Sequence, residues 1–133
     1  MIGAVIIGRN EGERLKACLA SLQADVDYIV YVDSGSTDGS LDVARAAGAV
    51  VVELDTDVPF TAARARNAGF AKLMAGPAPV LVQFIDGDCA LRDGWIVAAQ
   101  AFLDMTPKAG VVCGRRRERF PEGHGRRTGR HRG

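Results

Sequence analysis

The segment Val80-Leu81-Val82-Gln83-Phe84-Ile85-Asp86-Gly87-Asp88 decides how the rest of the chain reads. Its apolar run is nearly continuous and does not alternate, the pattern of a strand covered on both faces in a parallel sheet. It ends in two carboxylates at i and i+2, which an extended backbone points to one face, and Gly87 between them permits close approach. Two like charges placed side by side repel, so a hard cation or hydroxyl donors explain the pairing better than stability does. A magnesium or manganese ion held by one carboxylate together with phosphate oxygens is the natural arrangement.

Comparable apolar runs lie at Ile2–Ile7, Tyr28–Val32, Ala49–Leu54 and Gly110–Cys113. Helical segments are predicted between them. Leu15, Cys18, Leu19 and Leu22 fall at i, i+3, i+4 and i+7, one apolar stripe on a helix from about Glu11 to Ala24. A second helix follows Gly39, capped by Asp38 or Ser40, and ends near Gly48. A third runs from Thr61 to Ala75, stopped by Gly76-Pro77, with Phe70, Leu73 and Met74 on its buried side. A fourth starts near Asp93 and turns Trp95, Ala99, Phe102 and Leu103 inward. Strand and helix alternate throughout, which predicts an α/β fold: a Rossmann-like three-layer sandwich, its mostly parallel sheet covered by helices on both faces. Ligands of such sheets sit beyond the carboxyl ends of the strands.

A chain of 133 residues, 47% apolar and 25% charged, is the size of one globular domain. No run approaches the roughly 18 apolar residues of a membrane span, and the first eight residues lack the basic start of a signal peptide, so a cytoplasmic protein is expected. The net charge of +1 conceals an asymmetry. Met1–Gly114 holds 9 Lys or Arg against 14 Asp or Glu, whereas 115–133 holds 8 Arg against 2 Glu. An acidic body of this kind is no specific nucleic-acid platform, although the basic end could attract phosphates. Cys18, Cys89 and Cys113 form no Cys-x-x-Cys pair and read as free thiols of a reducing compartment. His124 and His131 read as surface histidines.

The turns after the strands carry the polar residues. Gly8-Arg9-Asn10-Glu11-Gly12 has neither the Gly-x-Gly-x-x-Gly fingerprint nor a Gly-Lys-Ser/Thr ending, which removes support for dinucleotide cofactors and P-loop hydrolysis. Asp33 closes a buried strand, where a charge without a partner is costly, and the following Ser34-Gly35-Ser36 lets a flat ligand lie on the backbone. Arg64 and Arg66 are two apart on a helix, so at most one faces such a site.

Taken together, Val5-Ile6-Ile7-Gly8-Arg9-Asn10-Glu11, Val32-Asp33-Ser34-Gly35-Ser36-Thr37-Asp38, Ala65-Arg66-Asn67-Ala68-Gly69 and Phe84-Ile85-Asp86-Gly87-Asp88 resemble the nucleotide-binding half of a family 2 glycosyltransferase of GT-A fold. The resemblance spans roughly residues 2–120. It implies that Asn10 and Glu11 line a nucleotide pocket, that Asp33 contacts the base and that Arg66 approaches the nucleotide. Asp86 would hold the ribose or support the metal shell, and Asp88 would ligate Mg2+ or Mn2+ on the diphosphate. The implied activity is inverting transfer of a sugar from a nucleoside diphosphate sugar, UDP by family habit, to an unknown acceptor.

Two departures stand out: the family's usual Pro-small-aromatic is here Ile7-Gly8-Arg9, and its frequent second Asp is Ser34. The family's acceptor site and general base belong to a C-terminal half with no counterpart here. Residues 1–122 are therefore expected to be a partial GT-A domain, and 123–133 a disordered basic tail of non-native sequence following an interruption near Glu122. An uncovered sheet face or edge would favour self-association. Two other readings compete: a haloacid-dehalogenase-like phosphatase using the Asp-x-Asp pair, and a noncatalytic module that binds acidic partners through its Arg-rich end.

Overall fold

The computed structural model describes residues 1–114. They fall in two compact units, Met1–Ala98 and the segment from Ala99 onward. The first holds strands β1 (Ile2–Gly8), β2 (Tyr28–Asp33), β3 (Val50–Glu53) and β4 (Leu81–Asp86) with helices α1 (Glu13–Leu22), α2 (Ser40–Ala46) and α3 (Ala62–Ala75); a further helix, α4 (Trp95–Met105), begins in it. All ladders are parallel, and the sheet order is β3-β2-β1-β4. The chain moves outward from β1 through β2 to β3 and then returns to the other side of β1. The order thus reverses between β1 and β4, the place at the carboxyl ends of such a sheet where the connections part and leave a crevice.

Alternation along β1 and β2 explains the two cores. Ala4, Ile6, Ile29 and Tyr31 face one side and pack with Leu15, Cys18, Leu19 and Leu22 of α1 and Ala44 of α2. Val5, Ile7, Val30 and Val32 face the other and pack with Ala65 and Leu73 of α3. Successive strand residues point to opposite faces, so an uninterrupted apolar run is what a middle strand needs. β3 and β4 lie at the sheet's edges and are only partly buried.

Several sequence expectations are corrected. Helix α1 begins at Glu13, not Glu11, because Gly12 adopts φ 57°, ψ −128°, outside the helical region. The N-cap of α2 is Gly39 at φ 90°; Asp38 accepts from the Ser40 amide and hydroxyl without capping the helix. Phe70 is not on the buried side of α3. The covered stripe is Ala65, Gly69 and Leu73, at i, i+4 and i+8, which turns Phe70 outward to 43% exposure, its ring centroid 6.5 Å from that of Phe84. On α4 the buried residue is Ile96, and Phe102 is 48% exposed. Gly110–Cys113 forms no strand: it pairs with no neighbour among the described residues, and Val111 is 76% exposed. A short apolar run becomes a strand only where a ladder partner exists. The expected boundary at residue 122 and the basic tail lie outside the described residues.

Gly69 shows how closely α3 rides on the sheet. A Cβ there would overlap Val5 Cγ1 and come within 3.0 Å of Val32 Cγ2. Alanine improves helix propensity by about 1 kcal/mol. Gly69→Ala is nonetheless expected to destabilise the protein by about 1–3 kcal/mol through overpacking, read as a lower urea midpoint at unchanged slope.

Candidate functional site

The loops beyond β1 and β2 are joined through one buried carboxylate. Asp33 is 2% exposed. Its Oδ1 accepts from the Tyr31 hydroxyl at 2.8 Å and the Ser36 hydroxyl at 2.5 Å, and its Oδ2 from the Gly35 and Ser36 amides at 3.0 and 2.8 Å. A buried charge is tolerated when it is bonded this fully. The Ser36 hydroxyl in turn accepts from the Asn10 amide at 2.9 Å, and Asn10 Oδ1 accepts from the Thr37 amide at 2.7 Å. Asn10 sits at φ 51°, a left-handed conformation that asparagine tolerates better than most residues. The Ser34 amide and hydroxyl both donate to the Gly8 carbonyl, at 3.1 and 3.3 Å.

The turn after β4 is anchored as firmly. The Gly87 amide donates to the Ile7 carbonyl at 2.8 Å, carrying the ladder one step past the strand. The Leu91 amide donates to Ser21 Oγ at 2.9 Å, and the buried Cys18 thiol lies 3.8 Å from the Asp86 carbonyl. Glu11 is seated between two glycines: a Cβ on either Gly8 or Gly87 would come within 3.2 Å of its Cγ. Its side chain is 17% exposed and pairs with Arg14 at 3.1 Å.

These anchors open a cavity of about 420 Å³ at the reversal point of the sheet. It is lined by Glu11, Asp86 and Asp88 together with Arg66 and Ser34. Arg66 stands 3.6 Å from Asp86 Oδ1, both half-exposed. Arg64 points elsewhere, donating to the Asp55 and Val58 carbonyls. A second cavity of about 390 Å³ adjoins the first and is walled by Leu54, Val58, Pro59, Thr56 and Arg64. Arg9, Ser34 and Phe60 line both.

Of the residues singled out in the sequence, Glu11, Arg66, Asp86 and Asp88 are thus brought together in one cavity. Asn10 and Asp33 line neither cavity; the Asp33 carboxylate and Asn10 Oδ1 hold the loop network together. Phe60 was not singled out, and Ser34 entered only through the turn on which a flat ligand could lie and as a departure from the family's second Asp. Ser34 had a local signal, following Asp33 at a strand end, whereas Phe60 carried none beyond being an aromatic in a polar connection. As for a divalent ion, the described residues hold no group of three or more His, Cys, Asp or Glu side chains arranged to cage one. Two hard carboxylates on one turn instead suit an ion that completes its shell with ligand phosphate oxygens.

The family model described as Glycosyl transferase family 2 matches residues 4–132. The chain belongs to that family. Glucosyl-3-phosphoglycerate synthase of Mycobacterium tuberculosis, crystallised with Mn2+, UDP and glucosyl-3-phosphoglycerate, is similar at 28% identity and a TM-score of 0.60, over 80% of this chain and 40% of that one. The same enzyme with Mg2+ and UDP gives a TM-score of 0.59 over the same shares. A TPR repeat-containing protein of Synechococcus elongatus is 38% identical over 63 residues, 47% of this chain and 16% of that protein. The chain therefore spans about two fifths of the solved enzymes it resembles.

Burial sets the protonation of two groups behind this family 2 site. The Cys18 thiol is pushed up to about 12, first by burial and then by the nearby Cys89, Asp88, Asp86 and Glu11. The Tyr31 hydroxyl is also raised, by burial and by its bond to Asp33. Asp38 is held below its ordinary value by the Ser40 hydroxyl. Both raised groups keep their protons when folded and release them more readily when unfolded. Stability from this source is full below about pH 9 and falls as pH rises toward 12. Thermal melts at pH 7 and pH 10 should show the drop, and iodoacetamide should spare Cys18 until denaturant is added. Asp33→Ala, which strands four buried or half-buried donors, should cost about 2–4 kcal/mol in urea unfolding.

Proposed function

We propose that the chain is the donor-binding part of a glycosyltransferase that takes a nucleoside diphosphate sugar, with UDP the preferred nucleotide, together with Mg2+ or Mn2+. The observation that carries this reading is the convergence of Glu11, Arg66, Asp86 and Asp88 on one cavity at the sheet's reversal point. The 28% identity to an enzyme crystallised with Mn2+ and UDP supports it. Asp88, with Asp86 behind it, would hold the ion. When bound, the ion supplies positive charge against the departing diphosphate, where negative charge grows during transfer.

This chain's own residues do the positioning. Arg66, paired with Asp86, limits the carboxylate's repulsion toward an incoming diphosphate and keeps its side chain aimed across the cavity. Glu11, fixed between Gly8 and Gly87, is an acceptor for sugar or ribose hydroxyls. The base lies against the Ser34–Gly35 turn, with Asp33 holding that loop from behind. Transfer is by direct attack of an acceptor hydroxyl with inversion, the hydroxyl proton passing to a carboxylate. Neither Glu11, paired with Arg14, nor Asp86, paired with Arg66, is assigned that task. Site of action is the cytoplasm, in keeping with thiols that form no disulfide; no described helix is long and apolar enough to cross a membrane.

Calorimetric titration with UDP, GDP and dTDP, with and without manganese, tests the reading. UDP should bind in a manganese-dependent manner, and Asp88→Ala should weaken it by at least about tenfold. Equal binding by the variant, or none by a folded wild-type chain, overturns it.

A further inference from the structure

Two cavities of different chemistry adjoin in this protein. The first carries the three carboxylates Glu11, Asp86 and Asp88 with the guanidiniums of Arg9 and Arg66; the second sets the apolar Leu54, Val58, Pro59 and Phe60 beside Asp55, Thr56 and Arg64. If the donor-site reading holds, charge and shape divide a nucleoside diphosphate between them. The diphosphate and its cation belong to the acid-lined cavity, and the flat, partly apolar base to the second. The residues lining both cavities mark the point where the nucleoside joins its first phosphate, and Arg9 is the one cation among them.

The other nearby cations are committed. Arg14 pairs with Glu11 and Arg66 with Asp86, and Arg64 donates to two loop carbonyls. Arg9 makes no ion pair among the described residues. Its Nε lies 4.0 Å from the position a Cβ on Gly35 would take, so the side chain crosses the turn beyond β2. Gly35 leaves that path open: it sits at φ 93°, and a Cβ there would also meet Thr56 Cγ2 at 3.0 Å. The backbone carrying Arg9 is fixed on both sides, by the Gly8 carbonyl bonds to Ser34 and the Asn10 bonds to Ser36 and Thr37. A guanidinium so placed, rigid at its root and unpaired at its head, matches the forked geometry of phosphate oxygens.

We propose that Arg9 is a phosphate-binding residue that grips the phosphate next to the nucleoside directly, without the metal. This rests on the donor-site reading and adds a contact independent of Asp88. It makes a distinctive demand on ligands: uridine should not feel Arg9, whereas UMP and UDP should.

The test compares uridine, UMP and UDP by chemical-shift titration of the full chain, in EDTA and in manganese, for wild type, Arg9→Ala, Arg9→Lys and Arg92→Ala as an exposed-cation control. Arg9→Ala should weaken UMP and UDP about tenfold in EDTA and leave uridine unchanged, with Arg9→Lys intermediate and Arg92→Ala like wild type. Equal losses for uridine and UMP, or an unaltered UMP affinity, overturn the assignment while the donor site stands. A folded wild-type chain that binds none of the three in either condition overturns both.

Discussion

The hydrogen-bonded carboxylate of Asp33 is the constraint from which the site's geometry follows. A charge 2% exposed at the end of a buried strand must be met by donors. Here the chain supplies four from Tyr31, Gly35 and Ser36, which folds the segment after β2 back over its own strand end. Ser36 can bond Asp33 and still accept from Asn10 because a hydroxyl is donor and acceptor at once. The loops after β1 and β2 therefore form one unit, and the walls of both cavities are built on it.

Electrostatics then divide the labour among residues of like charge. Glu11 and Asp86 each have an arginine partner, and the Asp88 carboxylate accepts from the Cys89 thiol on the same turn. The pairs are part-exposed, so they add little to stability. Their effect is on direction: they keep several acidic side chains in one cavity without a net charge that would repel an anion outright. Beneath this layer, the neutral Cys18 thiol lets α1 pack against the Asp86 turn with no further charge. The glycines at 8, 69 and 87 work at the same interfaces, where a side chain would push Glu11 aside or lift α3 from Val5 and Val32.

Membership of glycosyl transferase family 2 and the crevice between β1 and β4 fit together, since a sheet whose order reverses leaves space at its carboxyl edge for a ligand. The described residues form two adjoining cavities at that edge. The solved enzymes they resemble are longer, with this chain spanning about two fifths of them.

The alternation of continuous apolar runs with helical stripes was enough to read the α/β fold and four of its strands, because burial on both faces leaves a pattern that needs no tertiary information. The acidic pair was legible as residue types at a strand end, but β4 stops at Asp86 and Asp88 lies in the turn beyond it, so the turn closed by the Cys89 amide on the Asp86 carbonyl, and not strand alternation, brings both to one cavity. Glu11 and Arg66 came through the family resemblance and do share the cavity. What the sequence could not decide was which polar residue at a strand end serves the ligand and which serves the fold. Asp33 and Asn10 have the residue types of a binding pocket, yet Asp33 accepts from the Tyr31 and Ser36 hydroxyls and the Gly35 and Ser36 amides of its own turn, and Asn10 bonds Ser36 and Thr37, which only the pairing of β1 with β2 brings beside it. Gly110–Cys113 has the apolar character of a strand and no ladder partner among the described residues, and Phe70 has the size of a core residue but the wrong angle on its helix. Sequence determines what a residue can do; which neighbour it meets is decided by topology, which sets sheet order, register and the turn of each helix.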